Sequence, residues 1–457
     1  MGKHGSSQGG MLRRLIGAAV IAVLGIGSAA GGALAAQELR VEPPAEDLAP
    51  RPAQLLEAAA QPEAALAAAP RTCSVDGETA DPAALDFHGL VLDNETGEVL
   101  FQRDPTGTHP TASVMKLITT TSALVTLGPD TRIPTRVYPG DQPGSVVIVG
   151  GGDPTLKSST TSYYSGATAS VLDLAAAVQG AGGATAVGYD SSVFGGEAWH
   201  PSWNDSDRRD GYVTPITGLM TDAGRENPAQ IYSERSRTPD QDAAAAFADA
   251  LGASVDPGIG IEPGSEPIAE VWSQPVSELV DYVLLDSDNV VAEALARLVA
   301  IERGTGNTFD AISEAADASL AELGVEAPGF HGADGSGLSR DNRASSLTII
   351  EVLQRMQEDP ELAGLMDLLP RNRIDGTLKD RLPGVTEGAI TAKTGWIDQV
   401  YSLAGTMEAE DGTELLFAIF TPVADPDGSA KAGVANRNQL DAIATAVWHC
   451  GGRLSNY

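Results

Sequence analysis

The sequence predicts a mixed α/β protein of the α+β type, in which helices flank an antiparallel sheet and a further domain is inserted early in the chain. Strand patterns occur over residues 89–101 and again over 389–420, whereas much of 275–356 has helical patterns. Residues 130–270 instead combine short strands, Gly-rich turns and one helical stretch. Since such a segment is too long for a loop, we expect it to fold as an inserted domain.

The N-terminal residues 1–36 predict an export signal or a membrane anchor. Basic residues precede an apolar, uncharged stretch over 15–30, and the small residues at 33–35 suit cleavage. Uncleaved, the stretch is almost long enough to span a bilayer. Residues 37–80 follow as a predicted flexible tether rich in Ala, Pro and Glu. We therefore expect an exported protein that is extracellular, periplasmic or wall-associated, with any membrane anchoring confined to this N-terminal segment.

The main domain is predicted to comprise residues 81–129 and 271–457. Its first two strands, 89–93 and 98–101, flank the turn sequence NETG and should form a β-hairpin. The remaining predicted elements near the C-terminus are strands over 389–394, 401–407 and 415–420 and a closing helix over 434–450. Strands from both chain ends should therefore meet in one sheet.

The composition argues against several classes of partner and cofactor. The net charge of −33 over 457 residues would repel nucleic-acid phosphates, so we expect no nucleic acid to bind. The six histidines are scattered without zinc-type spacing, and there are only two cysteines, so we expect no metal site and no cofactor. In an oxidising compartment Cys73 and Cys450 are a possible disulfide.

The most informative motif is Ser113-Val-Met-Lys116, at the start of a predicted helix that Gly128 ends. Residues three apart on a helix lie on one face. A desolvated lysine can accept the proton of a serine hydroxyl, which then becomes nucleophilic. The pair predicts Ser113 as nucleophile and Lys116 as general base, although Ser-x-x-Lys alone also arises by chance.

Two further motifs follow in order, SDN at 287–289 and KTG at 393–395. Among the six lysines, only Lys116 follows a serine by three positions and only Lys393 begins a Lys-Thr-Gly. A second Ser-x-Asn at 202–204 lies in a Gly-, Pro- and Asp-rich segment without helical periodicity, so we prefer the copy at 287–289, between two helical stretches. The ordered set is the signature of penicillin-binding proteins and serine β-lactamases.

From about Phe87 onward the chain resembles class-C low-molecular-mass penicillin-binding proteins, the D-alanyl-D-alanine carboxypeptidase/endopeptidases. The resemblance includes GGGDPTL at 150–156, DGSGLSR at 334–340 and DGTL at 375–378, which separate the chain from small β-lactamases. It implies a penicillin-binding/β-lactamase-like transpeptidase fold and a serine-type carboxypeptidase. Its implied substrates are peptidoglycan stem peptides, and its implied inhibitors are β-lactam antibiotics.

The resemblance also implies roles around the second motif. Ser287 would relay a proton to the leaving D-alanine, and Asn289 would bind the substrate amide. Asp288 is expected to be structural, as a cap of the following helix. The same structural reading is preferred for the acidic residues of the three flanking stretches, since these are also ordinary turn sequences.

The third motif would bind the substrate along a strand. By the resemblance, Lys393 supplies positive charge, Thr394 holds the terminal carboxylate, and Gly395 lets the substrate backbone approach the strand. The backbone N–H groups of Ser113 and Trp396 would form the oxyanion hole.

Two alternatives stay open from the sequence. A serine β-lactamase has the same motifs but hydrolyses the acyl-enzyme quickly, and the sequence does not give that rate. A non-catalytic wall-binding protein of the same fold would not need six polar side chains at the motif positions, namely Ser113, Lys116, Ser287, Asn289, Lys393 and Thr394.

Overall fold

The structure is a computed structural model that describes residues 71–362, 364–424 and 430–455. The predicted export segment and residues 37–70 of the predicted tether lie outside the described residues. Residues 71–80, also assigned to the tether, include a short helix and Cys73, which forms a disulfide with Cys450. The Cys73 amide donates to the Arg453 carbonyl over 3.1 Å, so the start of the described chain is tied to its end.

The strands are β1 His88–Asp93, β2 Val99–Arg103, β3 Thr108–His109, β4 Arg132–Pro139, β5 Ser145–Gly150, β6 Ala186–Asp190, β7 Ser254–Val255, β8 Ala269–Pro275, β9 Ala344–Ser345, β10 Ile390–Ile397, β11 Val400–Glu408 and β12 Glu414–Pro422. The helices are α1 Asp76–Thr79, α2 Met115–Leu127, α3 Val171–Gly180, α4 Asp205–Arg209, α5 Pro239–Leu251, α6 Val276–Leu284, α7 Asn289–Glu302, α8 Ile312–Glu322, α9 Ser346–Glu358 and α10 Val434–Cys450.

The main sheet has five strands in the order β10-β11-β12-β1-β2, and every neighbouring pair is antiparallel. Strands from the two chain ends meet where β1 pairs with β12, with Leu90 opposite Ala418. The predicted hairpin is formed by β1 and β2, and the three predicted C-terminal strands are β10 to β12. The predicted antiparallel sheet is therefore confirmed.

Alternating side chains send the two faces of this sheet into two different cores. On β1, Leu90 and Leu92 face one core while Val91 faces the other, as the two-residue period of a strand requires. The first core contains buried residues of α2, α6, α7, α8 and α9. The second contains one face of α10, including Leu440 and Val447. The sheet is thus flanked by helices on both faces, as predicted.

A second sheet is built from residues between the first and second motifs, in the order β7-β6-β5-β4-β8. It is mixed, because β4 pairs antiparallel with β5 and β8, whereas β5-β6 and β6-β7 are parallel. Buried residues of α3 and α5, including Leu174 and Phe247, form a separate core with it. Residue 270, the predicted end of this block, falls inside β8, which leads directly into α6.

The sequence analysis expected one helical stretch in this block, and that expectation was wrong. The α3 helix was predicted, but α5 was not. The α5 segment PDQDAAAAFADAL buries mainly alanines and one phenylalanine, so its apolar periodicity is weak.

Among the residues that the structure describes, no helix is long and apolar enough to cross a membrane.

Candidate active site

Ser113 lies in a single 3-10 turn, Ala112–Val114, immediately before α2 begins at Met115. The sequence analysis expected Ser113 to open the helix itself. Ala112 has a φ of 45°, in the left-handed region, and this bend sets the serine just before the first turn of α2. Ser113 is half-buried, while both neighbours in the turn are buried.

Two glycines allow other segments to pass close to this turn. A Cβ atom on Gly395 of β10 would lie 3.0 Å from the Ser113 amide nitrogen. One on Gly337 would lie 1.9 Å from the Ala112 carbonyl oxygen, and Gly337 also has a φ of +88°. Only glycine fits both constraints at position 337. The third motif and the DGSG stretch therefore meet the Ser113 turn from two sides.

The Lys116 ammonium group connects the three regions. Its Nζ atom donates to Ser113 Oγ over 3.0 Å, to Asn289 Oδ1 over 2.6 Å and to the Ser336 carbonyl over 2.5 Å. The side chain is fully buried. All three donors of the ammonium group are thereby satisfied inside the protein.

Burial leaves a much larger fraction of Lys116 in the neutral, proton-accepting form near neutral pH than is found for a free lysine. Desolvation lowers its pKa from 10.5 to about 8, against the opposing pull of Asp334, Glu293 and Asp288. A lysine with this pKa is partly neutral under mildly alkaline conditions, so it can accept a proton from the Ser113 hydroxyl.

Ser287 lies in the turn between α6 and α7, with a φ of 61°. Lys393 Nζ donates to its hydroxyl over 2.9 Å, which joins the second and third motifs. Lys393 is fully buried, and burial together with the charge of Lys116 lowers its pKa well below the usual value. Two buried lysines in one site disfavour double protonation. Each amine can therefore exchange a proton with the serine hydroxyl beside it, Lys116 with Ser113 and Lys393 with Ser287.

The SDN turn is held by a buried ion pair. Asp288 accepts hydrogen bonds from the amides of Val290 and Val291 and so caps α7, as predicted. Its other oxygen accepts from Arg225 Nη2 over 3.0 Å and from the Tyr164 hydroxyl over 2.7 Å. Burial opposes ionisation of Asp288, but the neighbouring arginines outweigh it and lower the pKa.

The segment between the motifs also reaches Asn289. Asn289 Nδ2 donates to the Tyr212 carbonyl over 3.1 Å, while Asn289 Oδ1 accepts from Lys116. The amide is thereby fixed in one orientation. Tyr212 contacts Tyr232 edge-on, with ring centroids 5.8 Å apart, so two partly exposed aromatic rings lie beside the SDN turn.

The DGSG stretch at 334–337 lies behind Lys116 and is held by Glu293. The Gly335 and Ser336 amides donate to the Glu293 carboxylate over 3.1 and 2.7 Å. Glu293 is fully buried on α7, and burial, together with Asp334, raises its pKa to about 8. Glu293 thus holds the two peptide groups just before the one whose carbonyl accepts from Lys116, and the amide of that peptide group, Gly337 N–H, donates to Asp334 Oδ1 over 2.7 Å.

The remaining residues of the third motif lie on β10. Thr394 Oγ1 is 2.7 Å from Thr377 Oγ1, which brings the DGTL stretch to the site. Trp396 is 48% exposed, and its ring stacks on Tyr401 with centroids 6.1 Å apart. The indole Nε1 donates to the Ala432 carbonyl over 3.4 Å.

The structure brings the predicted motif residues together at one place and keeps the alternative copy away from Lys116. In that copy, Asn204 caps α4, and Ser202 Oγ lies 2.7 Å from Ser339 Oγ. Asp153 is buried in a local turn, where its carboxylate accepts from the Thr155 amide and hydroxyl.

Sequence reasoning missed Glu293, Arg225 and Tyr212. A glutamate within the apolar run VVAEALA was a signal for Glu293, because a charge inside a buried helix needs a partner. The other two come from the segment before the second motif, and nothing in their local sequence distinguishes them.

The chain matches known proteins along most of its length. A family model described as D-Ala-D-Ala carboxypeptidase 3 (S13) matches residues 72–234 and 225–447. A carboxypeptidase of Mycobacterium tuberculosis is 36% identical over 423 residues, which cover 88% of this chain and 89% of that protein. One of Mycolicibacterium smegmatis is 36% identical over 379 residues, which cover 79% and 80% of the two chains.

The fold is also found in a solved structure. Penicillin-binding protein 4 from Haemophilus influenzae superimposes with a TM-score of 0.67 at 19% identity, covering 80% of this chain and 97% of that one. Family membership follows from the family model, which covers most of the chain, and from the two carboxypeptidases that are 36% identical to it. The chain belongs to the D-Ala-D-Ala carboxypeptidase 3 (S13) family.

Proposed function

We propose that this protein is a serine D-alanyl-D-alanine carboxypeptidase/endopeptidase that hydrolyses peptidoglycan stem peptides through an acyl-enzyme on Ser113. The observation that carries the proposal is the 3.0 Å hydrogen bond from Lys116 Nζ to Ser113 Oγ in a buried site. A buried amine with a lowered pKa beside a serine hydroxyl is the arrangement that activates a nucleophile.

In the acylation step, neutral Lys116 accepts the Ser113 proton while Ser113 Oγ attacks the carbonyl carbon between the two D-alanines. The backbone N–H groups of Ser113 and Trp396 stabilise the resulting oxyanion. The close passage of β10 along the Ser113 amide supports this assignment. The carbon–nitrogen bond then breaks, leaving an ester on Ser113.

The departing amine of D-alanine needs a proton. Ser287, whose hydroxyl is held by Lys393 Nζ over 2.9 Å, donates its proton to the amine and is reprotonated with the proton that Lys116 took from Ser113, so Lys116 is neutral again. Water subsequently attacks the ester and restores the Ser113 hydroxyl. One water is consumed for each D-alanine released.

Substrate recognition is assigned to the walls of the cleft. Thr394 donates a hydrogen bond to the terminal carboxylate of the substrate, and Asn289 binds the penultimate amide. Burial and the charge of Lys116 lower the pKa of Lys393, so Lys393 attracts the carboxylate only once the charge of the bound substrate favours its protonation. Gly395 lets β10 pass close to the Ser113 turn, and the substrate backbone is proposed to lie along this strand. β-Lactams would acylate the same serine because their strained amide resembles the D-Ala-D-Ala bond.

Residues 130–270 are proposed to be an inserted domain that helps to shape the site. The separate core of the second sheet supports this division. The contacts of Arg225 with Asp288 and of Tyr212 with Asn289 support its participation in the SDN turn. We also propose that the protein is exported, because peptidoglycan lies outside the cytoplasm, and that any membrane anchoring would be through residues 1–36.

The function is tested by measuring the release of D-alanine from a synthetic peptide ending in D-Ala-D-Ala, with the L-Ala-D-Ala peptide as control. We expect release from the first peptide alone, and loss of release in Ser113→Ala with the fold retained by circular dichroism. Undiminished release by that variant would contradict the proposed mechanism.

A further inference from the structure

Two histidines and a carboxylate form a cluster outside the active site. His88 lies on β1, Asp104 follows β2, and His109 lies on β3. One nitrogen of each histidine and one oxygen of Asp104 all lie within 4.8 Å of one another. The two imidazole rings stack with centroids 3.6 Å apart. Three ligand-type atoms from separate strands and turns therefore converge on one point.

Both ring nitrogens of His88 are buried, and each has a carboxylate oxygen at 3.3 Å but no well-aligned hydrogen bond. Its side chain is only 8% exposed, and Nδ1 lies 3.3 Å from Asp104 Oδ2. His109 Nε2, also buried and without a partner, lies 4.0 Å from the same oxygen. Buried polar atoms without partners are unfavourable. A bound cation would satisfy the two nitrogens that face Asp104.

The Asp104 carboxylate is held in the orientation that a ligand needs. Its Oδ1 atom accepts from the Gly107 amide over 3.2 Å. Its Oδ2 atom remains directed at both histidines. Asp104 has a φ of 43°, a left-handed conformation that aspartate tolerates better than most residues. The carboxylate therefore offers one oxygen to the cluster.

The second nitrogen of His88 faces another carboxylate. Nε2 lies 3.3 Å from Asp86 Oδ2. In metal sites, a carboxylate on the far nitrogen commonly fixes the imidazole tautomer and leaves the near nitrogen free to coordinate.

We propose that His88 Nδ1, Asp104 Oδ2 and His109 Nε2 bind one divalent transition-metal ion of the zinc class. Zinc is bound by such nitrogen and oxygen ligands at about 2.0–2.2 Å, so tetrahedral ligand atoms lie roughly 3.4 Å apart. The ligand atoms lie 3.3 and 4.0 Å from Asp104 Oδ2 and within 4.8 Å of one another, so binding requires a contraction of the cluster and a turn of the stacked rings. Zinc-type sequence spacing does not reveal this cluster, because the hairpin and β3 bring its members together.

The ion would tie β3 to β1 just before the nucleophile. The chain continues from His109 to Thr111, whose carbonyl accepts from Ser402 Oγ over 2.8 Å, and then to Ser113. The expected effect is therefore on the stability of the segment that carries Ser113. No step of the serine chemistry depends on it.

The site is tested by titrating the untagged full-length chain with Zn²⁺ in a calorimeter, and with Co²⁺, whose visible absorption reports tetrahedral coordination. We expect saturation at one ion per chain. His109→Asn and Asp104→Asn should each weaken the affinity more than about 100-fold, and Asp86→Asn by about 10–100-fold. His449→Asn is the matched control, because this exposed histidine pairs with Glu410 far from the cluster and should leave the affinity unchanged.

Thermal melting provides a second readout. Zn²⁺ should raise the Tm of the wild type and not that of Asp104→Asn. Because Asp104 is 53% exposed, this variant should fold even if His109→Asn does not. Binding below one ion per chain in the wild type, or equal affinities in the wild type and Asp104→Asn, would overturn the proposal. Acylation by benzylpenicillin is measured separately, so that failure of the serine mechanism remains distinguishable from failure of the metal site.

Discussion

Lys116 determines how the proposed nucleophile responds to pH. The amine accepts the Ser113 proton only when neutral, and burial lowers its pKa to about 8. Below this pKa the neutral fraction rises about tenfold per pH unit, and above it the fraction levels off. The rate of acylation by benzylpenicillin should therefore climb between about pH 6 and pH 8 and then reach a plateau.

Quenched-flow mass spectrometry of the adduct gives this rate at each pH. Lys116→Arg is the matched control, because guanidinium keeps its charge at all these pH values and should not support acylation. A rate that stays level through this range would contradict the assignment of Lys116 as the base.

Among the buried residues behind Lys116, Glu293 is the one whose substitution should most reduce the stability of the fold and the rate of acylation. Glu293→Ala leaves the Gly335 and Ser336 amides without their acceptor, at about 1–3 kcal/mol for each buried donor. We expect a lower free energy of unfolding and slower acylation, since the Ser336 carbonyl accepts from Lys116. Urea unfolding and acylation rates measure both effects.

The control for Glu293 is Glu302→Ala, which removes an exposed glutamate from the same helix. It should change stability by less than about 0.5 kcal/mol. Equal effects of the two substitutions would show that the contacts of Glu293 with the DGSG stretch contribute no more to stability or acylation than an exposed glutamate does.

The close approach of the DGSG stretch to the Ser113 turn makes a prediction for Gly337→Ala. The added methyl group would lie 1.9 Å from the Ala112 carbonyl oxygen and must displace the turn. Gly412→Ala is the matched control, because Gly412 has a similar φ of +84° but open space around it. The control should cost about 1–2 kcal/mol from its left-handed backbone alone.

We expect Gly337→Ala to lower the Tm further than the control does and to slow acylation, whereas the control leaves acylation unchanged. If both variants are acylated at the wild-type rate, the DGSG stretch does not position Ser113.

Most elements of the main sheet could be predicted because each has its own local signal. The turn NETG between two apolar strands predicts the β1-β2 hairpin, and the strand-like segments at 389–394, 401–407 and 415–420 predict β10 to β12. The α5 helix was missed because its alanines produce little apolar periodicity. The short β3-β9 pair has no local signal, since a two-residue strand such as Thr108–His109 is defined only by its partner.

The parts of the candidate site that depend on residues close together in the sequence could be predicted. The Ser113–Lys116 contact follows from a spacing of three residues on one helical turn, and the Asp288 cap follows from a short acidic side chain in front of a predicted helix. The Glu293, Arg225 and Tyr212 contacts depend on packing between residues far apart in the chain, which spacing does not encode. The same reason hides the His88–His109 cluster.

The Cys73–Cys450 disulfide links residues separated by 377 positions, so it restricts the unfolded chain over nearly the whole described length. In the chain-entropy account, such a link stabilises the folded state by about 2–5 kcal/mol. The Cys73→Ser/Cys450→Ser double variant should therefore have a lower Tm, with unchanged acylation because neither residue touches the site. Thermal melting with and without reductant measures the loss, and reductant should leave the double variant unaffected. A Tm equal to that of the oxidised wild type would contradict this account.

The central claim is that Ser113 is the nucleophile of a penicillin-sensitive serine peptidase. Intact-mass spectrometry after incubation with benzylpenicillin, followed by peptide mapping over time, tests it most directly. We predict one lasting adduct per chain on the peptide containing Ser113, and none in Ser113→Ala. A transient adduct with continued loss of penicillin would identify a β-lactamase, and an adduct that persists in Ser113→Ala, or no adduct in the wild type, would contradict the account.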